Sequence, residues 1–290
     1  MLKVKDENYI ILKVKINNKE IGKDITYLNQ INLYNFYKNF EINDIIVIAD
    51  DKISDVKYRK ISEYEYDENS KNCEKAQQIY YNLYTPHYFF LNFSREGIHS
   101  IKIIFKKTLT SYKNMFSDCK NLIEIDFSHF QCSNYVESFE KMFYNCKNLT
   151  SLDVSHFNTK NNTSFESMPE GCTNLQNFDL SNFNSSKCIN ISKMFMNCKN
   201  ITEIDMLNLD LNNLRNTGFL FWRKKCIDRL FYGCNNLRTI KLNTNFNEEI
   251  VNYTNIFEGI PESGTFIYRK ENKRNMLLGQ LPYNWQRIEI

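Results

Sequence analysis

The chain repeats one phrase, which is first met in the stretch MFSDCKNLIEIDFSHF (Met115–Phe130). Each copy has an apolar pair, a cysteine three residues after it and a leucine or isoleucine three residues further on. In four of the five copies an apolar–Asp–apolar triplet follows. The cysteines lie 27, 26, 26 and 36 residues apart, at Cys119, Cys146, Cys172, Cys198 and Cys234. A fixed period of about 20–50 residues is typical of solenoids, in which each unit buries its apolar residues against its neighbours.

The second half of each copy predicts a strand, and the first half predicts a short helix. In Ile125–Phe127 two apolar residues flank a polar one, as in a strand with one buried face. The segments Ser111–Phe116 and Ser138–Phe143 suit a short helix with a serine at its N-cap. We therefore expect an α/β solenoid with short helices on its convex side. Its concave side would be a parallel sheet with strands at 122–127, 149–154, 175–180, 201–206 and 237–242.

The phrase Met-Phe-x-x-Cys-x-x-Leu-x-x-Leu-Asp-x-Ser-x-Phe resembles the BspA-type leucine-rich repeats over roughly residues 109–270. This resemblance implies a leucine-rich-repeat solenoid, and the tail from Ile256 to Trp285 looks like the closing segment of that family. Pro169 departs from the pattern because the other copies carry an aromatic ring there. We expect the third repeat to be locally thinner, or Phe165 to lean into the space that Pro169 leaves. The rings expected to be buried at this position are those of Phe116, Phe143, Phe195 and Phe231.

The residues before the repeats form a separate block. Tyr9–Ile16 and Ile45–Ile48 are rich in β-branched residues and predict strands. Tyr88–Phe93 and Ile101–Phe105 predict a β-hairpin that leads into the first repeat. The chain then divides into an N-terminal β-rich α+β cap domain at 1–105, repeats at 106–249 with an insertion around 207–225, and a C-terminal capping segment at 250–290.

The composition excludes several classes of protein. The 290 residues include 37 Lys and Arg against 34 Asp and Glu, so the net charge of +3 predicts no nucleic-acid partner and no strong attraction to membranes. The first residues lack the apolar run of a signal peptide, and no run is long enough to cross a bilayer. We therefore expect an intracellular, cytoplasmic protein rather than one at the cell surface. No catalytic constellation, metal site or cofactor motif is evident, so we expect no enzyme activity and no cofactor.

The chain has nine cysteines, and the five at the repeat position are predicted to be buried thiols rather than disulfides. Five of them share one repeat position, where a free cysteine behaves as a small apolar residue. Disulfides are rare in reducing compartments, and the sequence has no Cys-x-x-Cys pair that would indicate a zinc site.

Four carboxylates share another repeat position on the exposed face of the predicted strands. They favour one of two interpretations: an acidic groove for a basic partner, or a set of Asx turns in which each Asp binds nearby backbone amides. Two glutamates flank these carboxylates, and two cations would close the groove at one end. These candidate partner-binding residues are Glu124, Asp126, Asp153, Asp179, Glu203, Asp205, Arg238 and Lys241.

The insertion before the last cysteine is a second candidate surface. It contains the run Phe219-Leu220-Phe221-Trp222-Arg223-Lys224-Lys225. Insertions in repeat proteins form loops on one face, and aromatic residues beside cations are typical of interface hot spots. The alternative is that Phe219 or Trp222 packs back onto the repeats.

These observations favour a non-catalytic protein that acts as a protein–protein interaction or structural scaffold, as a subunit of a larger assembly. The alternative is a surface adhesin or glycan-binding protein.

Overall fold

A computed structural model describes residues 8–31, 45–50, 52–54, 57–60, 87–215, 226–244, 255–269 and 276–290. The strands are β1 (Tyr9–Ile16), β2 (Ile25–Ile31), β3 (Ile45–Ala49), β4 (Lys52–Ser54), β5 (Lys57–Lys60), β6 (His87–Leu91), β7 (Gly97–Phe105), β8 (Leu122–Asp126), β9 (Glu203–Met206), β10 (Thr239–Asn243), β11 (Ser263–Arg269) and β12 (Asn284–Glu289). Two short 3-10 helices cover Asn18–Glu20 and Met276–Gln280.

The strands form three sheets. The first is antiparallel, in the order β4-β3-β7-β1-β8, and the second is antiparallel, in the order β2-β6-β5. The third is parallel, in the order β12-β11-β10-β9. Because β8 pairs with β1, the first repeat shares a sheet with the N-terminal strands.

The N-terminal strand predictions are confirmed, but the predicted hairpin is wrong. β1 and β3 lie where the β-branched runs placed them, and alternate residues of β1 are buried. β6 and β7 are both strands, yet they lie in different sheets. β7 is flanked by β1 and β3, so neither of its edges is free to pair with β6.

The predicted convex helices are absent from the described part of the chain, which contains no α-helix. Each predicted helix contains one residue of positive φ and is followed by a second one four residues later, as with Lys141 (56°) and Asn145 (58°). A left-handed residue costs about 1–2 kcal/mol and cannot continue a right-handed helix. Ser138 accepts a hydrogen bond at Oγ from the N–H of Glu140, as an N-cap serine would, but no helix follows and the bond closes a turn instead.

The left-handed residues point backbone donors of one turn at the next repeat. The N–H groups of Lys141, Phe143 and Asn145 donate to the carbonyls of residues 166, 168 and 170 at 2.9, 2.9 and 2.8 Å. Equivalent bonds join the turn of Asn114–Asp118 to the second repeat and that of Lys193–Asn197 to the fifth. The repeated phrase therefore encodes a turn that satisfies its backbone through its neighbour instead of through a helix.

The predicted parallel concave sheet of five strands is also wrong, and only its last two strands, β9 and β10, pair in parallel as expected among the described residues. β8 is antiparallel to β1, and it lies in a different sheet from β9 and β10. Segments 149–154 and 175–180 form no strand. Each starts with a single backbone bond to the preceding repeat, from Thr150 N–H to the Ile123 carbonyl and from Gln176 N–H to the Thr150 carbonyl, both at 3.3 Å. One bond per repeat is too few for a ladder. The α/β leucine-rich-repeat solenoid expected from the sequence is therefore corrected to a strand-and-turn fold.

The prediction for the core is confirmed, because Phe116, Phe143, Phe195 and Phe231 are all fully buried. Phe116 and Phe143 stack with centroids 5.7 Å apart, and Phe195 and Phe231 stack at 6.2 Å. Pro169 interrupts this column and has no N–H to bond the next repeat.

Phe165 does not leave its own position to fill the gap beside Pro169. It stacks on Phe139, its equivalent in the preceding repeat, at 6.3 Å and on Phe183 at 5.1 Å. Phe178, in a position that other repeats fill with Leu or Ile, contacts Phe195 at 5.7 Å.

The repeat cysteines are buried free thiols, as predicted. In the second to fifth repeats the thiol donates to the carbonyl of the residue equivalent to Phe116 in the preceding repeat, as from Cys146 to Phe116 at 2.9 Å and from Cys172 to Phe143 at 3.0 Å. Burial raises the pKa of Cys119 and, to about 12, that of Cys234. The recurring Phe-x-x-Cys spacing thus supports a hydrogen bond from the thiol of one repeat to a carbonyl of the repeat before it.

No helix in the described part of the chain has the length and apolar character needed to cross a membrane.

Candidate binding site

The predicted acidic residues lie on the exposed side of successive repeats. Asp126 closes β8, Asp205 lies on β9, and Asp153 and Asp179 occupy equivalent positions outside any strand. Each carboxylate accepts a hydrogen bond from the backbone N–H two residues ahead, at 2.8 to 3.1 Å. The Asx-turn interpretation of this column is therefore correct for all four. Each remains exposed and keeps acceptor capacity for a partner.

The four aspartates and the flanking Glu124 and Glu203 form what we call the acidic column. A lysine pairs with carboxylates at each of its ends. Lys241 lies opposite Asp205 in the parallel register of β9 and β10, and its Nζ is 3.2 Å from Asp205 and 2.7 Å from Glu203. These two carboxylates raise the pKa of Lys241. At the other end Lys13 of β1 binds Glu124 of β8 at 2.8 Å.

The middle of the column keeps its negative charge. Among the described residues, no lysine or arginine pairs with Asp126, Asp153 or Asp179. Hydrogen bonds from the backbone and side chain of Ser128 lower the pKa of Asp126, and those of Ser155 lower the pKa of Asp153. Both groups are therefore ionised at neutral pH.

An open pocket of about 440 Å³ lies beside the end of this column. Three successive repeats line it with polar side chains only, and it opens where the chain enters β9 and β10. We call it the Arg238 pocket, and its lining residues are Gln176, Asn177, Asn200, Thr202, Asn236 and Arg238. Its volume is within the range of small-ligand sites, about 300–1,000 Å³.

Asparagine stands two residues after the cysteine in every repeat, but its role changes along the chain. In the first two repeats the amide serves the fold: Asn121 donates to the Lys15 carbonyl at 2.9 Å, and Asn148 donates to the Lys120 carbonyl at 2.8 Å. Asn200 and Asn236 make no side-chain hydrogen bond to any described residue. The same repeat position thus becomes available for a ligand in the pocket.

One of the backbone hydrogen bonds that join successive repeats is missing at the pocket. Gln176 N–H donates to the Thr150 carbonyl at 3.3 Å, and Arg238 N–H donates to the Thr202 carbonyl at 2.8 Å. The equivalent bond from Thr202 N–H to the Gln176 carbonyl is not formed between these described residues. A main-chain donor and a main-chain acceptor of two lining residues are therefore not bonded to each other.

Comparison with known proteins finds a family model that matches part of the chain. Residues 110–233 match the family model described as Mycoplasma protein of unknown function, DUF285. The match covers less than half of the 290 residues. No curated protein and no solved structure matches the chain.

The resemblance to BspA-type leucine-rich repeats is thereby corrected. The matching family is DUF285, and the described residues lack the helices that a leucine-rich repeat would place on its convex side. The DUF285 match ends before β10, so it includes Asn200 and Thr202 of the Arg238 pocket but not Arg238 itself.

The aromatic and basic run from Phe219 to Lys225 lies outside the described residues, and its role in binding stays a prediction. The described part of the chain holds no group of three His, Cys, Asp or Glu side chains placed to bind a metal ion.

Sequence reasoning misses a buried histidine. His99 on β7 places Nδ1 2.7 Å from an Asp50 carboxylate oxygen and Nε2 3.0 Å from the Arg95 carbonyl. Both ring nitrogens therefore lie within hydrogen-bond distance of an oxygen atom. Burial alone would raise the pKa of Asp50, but hydrogen bonds from His99 and the Ser100 amide lower it overall. We assign this pair to holding the turn after β3 against β7.

Proposed function

We propose that this chain acts by binding another protein through the exposed side of its third, fourth and fifth repeats, centred on the Arg238 pocket. The observation that carries the proposal is the convergence of six polar side chains from three repeats on one pocket. Among the described residues, none of the pocket amides and no part of the Arg238 guanidinium has an internal partner. Groups that the fold does not use are available for a ligand.

The framework beneath the pocket supports a binding role. The turns of the fourth and fifth repeats are joined by three backbone bonds, from Lys193, Phe195 and Asn197, at 2.7 to 3.0 Å. β9 and β10 then continue the same junction as a parallel pair. Binding groups held on such a rigid framework lose little conformational entropy when a ligand docks.

The acidic column supplies a second, flanking contact. Asp153 and Asp179 carry negative charges that no described cation neutralises, whereas Arg238 carries a positive charge in the pocket. A partner surface with charges of both signs in the matching order would be selected over one of uniform sign.

Site-specific photo-crosslinking tests the proposal. A benzophenone side chain replaces Asn200 in the pocket or, as a control, Lys160, which is exposed at the far edge of the second repeat. In extract of the native cell, we expect a discrete protein adduct from position 200 and none from position 160. Excess unlabelled wild-type protein should compete for this adduct, and the variant Arg238→Gln should compete weakly.

The matched variant Lys160→Gln, which loses the same charge, should compete as well as the wild-type protein. Equal adducts from both positions, or equal competition by Arg238→Gln, would contradict the proposal.

A further inference from the structure

We infer that the Arg238 pocket recognises a carboxylate carried by an extended segment of the partner, an inference that rests on the proposed function above. The pocket offers three kinds of groups: a guanidinium, side-chain amides and a spare pair of main-chain groups. Each selects a different feature of the ligand.

The guanidinium selects an anion. Arg238 is the one cation among the lining residues, and it forms no ion pair with a described residue. Lys241, three residues further along β10, is already held by Glu203 and Asp205. An arginine fork matches a carboxylate through two parallel hydrogen bonds, which adds geometric specificity to the charge attraction.

The amides complete the coordination of such a group. A carboxylate has about four acceptor sites, of which arginine fills two. The side-chain NH₂ groups of Asn200 and Asn236 come from the same repeat position on the two repeats that enter β9 and β10. Arg238 is the one cation among the lining residues, so a single carboxylate fits better than a run of several.

The unmade backbone hydrogen bond favours a peptide as the ligand. Thr202 N–H and the Gln176 carbonyl are a main-chain donor and acceptor on adjacent repeats, and a peptide group of the partner can bond to either of them. Adjacent repeats in a parallel pair are about 4.8 Å apart, so three repeats span roughly 10 Å, or about three residues of extended peptide. The lining residues include no aromatic ring, so a sugar or a base has no stacking surface there.

Peptides with a single charge difference test this inference. The probes are fluorescein-labelled Gly-Gly-Ser-Glu-Ser-Gly-Gly with an amidated terminus, the same peptide with Gln for Glu, and a neutral peptide with a free terminal carboxylate. A glucuronic acid tetrasaccharide serves as the sugar-acid arm. Binding is measured by fluorescence anisotropy for the peptides and by calorimetry for the sugar. Amide NMR of ¹⁵N-labelled, full-length protein reports whether the Thr202 N–H signal moves.

We expect the Glu peptide to bind roughly 10- to 100-fold more tightly than the Gln peptide, because a hydrogen bond to a charged group is lost. Arg238→Gln should remove that preference, Arg238→Lys should restore part of it, and Lys160→Gln should leave it unchanged. The Thr202 signal should shift with the Glu peptide. Tighter binding of the free-terminus peptide would assign the carboxylate to a chain end.

Equal binding of the Glu and Gln peptides would overturn the carboxylate assignment, and preference for the tetrasaccharide would overturn the peptide assignment. Either result would leave the proposed function standing if position 200 still crosslinks to a protein. Loss of both the crosslink and the peptide preference would remove the proposed function as well.

Discussion

The stacked phenylalanine column should behave as a coupled unit of the core. The Phe143 side chain is fully buried, its ring stacks on that of Phe116 at 5.7 Å, and it meets the edge of Phe127 at 6.1 Å. Truncating a buried phenylalanine to alanine costs about 3–5 kcal/mol, which is a large part of the roughly 5–15 kcal/mol typical of a domain. Phe143→Ala should therefore lower the free energy of unfolding by an amount in that range.

A double-mutant cycle separates ring stacking from simple burial. Phe116→Leu and Phe143→Leu keep an apolar side chain of similar size but remove the facing rings, so the pair should show a coupling energy of about 0.5–1.5 kcal/mol. The comparison pair is Phe116 and Phe195, which lie in different stacks because Pro169 interrupts the column. Their effects should add within about 0.5 kcal/mol.

Urea unfolding followed by circular dichroism gives both quantities from the midpoint and the slope. A loss of less than about 1 kcal/mol for Phe143→Ala, well below the range for a buried ring, would contradict the role given to the column. The stacking argument would also fail if the distant pair coupled as strongly as the adjacent one.

Three further predictions address the C-terminal strands, the buried histidine and the thiols. Gly264→Ala should destabilise the fold by roughly 1–3 kcal/mol, because the new Cβ would lie 2.7 Å from both the Arg238 carbonyl and the Trp285 ring. The control Gly279→Ala places its Cβ where nothing lies within 4 Å, so it should be near neutral in the same urea unfolding experiment. The pKa of Asp50 is lowered in the folded protein, so its contribution to stability is present above the ordinary aspartate value of 3.8 and lost as pH falls further. Acid titrations of urea midpoints should therefore be steeper for the wild type than for Asp50→Asn, and equal slopes would contradict the assignment. Ellman titration should find nine thiols after denaturation, but the five repeat cysteines should be unreactive in the native protein, since burial suppresses the thiolate.

The core of the repeats could be predicted from the sequence because burial leaves a direct trace in residue type. Apolar side chains recur at fixed distances from each cysteine. Residues at these positions, such as Phe116 and Cys119, are buried although the backbone forms a turn and not the predicted helix. Such a pattern states which residues are inside without stating how the backbone connects them.

The helices could not be predicted from that pattern, but another signal in the sequence points against them. The residue before each repeat cysteine is Asp, Asn or Gly, such as Asp118, Asn145 and Gly171. These residue types tolerate positive φ best, and all of them have it here. A left-handed residue at a fixed place in every copy indicates a turn, and this outweighs the helical look of the preceding segment.

The pocket escapes sequence reasoning because its asparagines resemble a bias of composition. Position in the repeat separates Asn200 and Asn236 from the many other asparagines. Only the structure shows which of the side-chain amides at that position form hydrogen bonds within the protein. Asn148 and Asn200 are equivalent in sequence, yet within the described residues only the first has an internal partner.

The location of the pocket follows from the junction between the third and fourth repeats. Pro169 has no N–H to donate to the Met194 carbonyl, so the turn side of this junction has one bond fewer than the junction after Phe143. On the other side of the same junction, the bond from Thr202 to the Gln176 carbonyl is also missing. Two repeats that are joined less tightly at both edges leave main-chain groups without internal partners, and the Arg238 pocket opens there. Pro169, which looks like a defect of the repeat, therefore marks in the sequence the junction at which the Arg238 pocket opens.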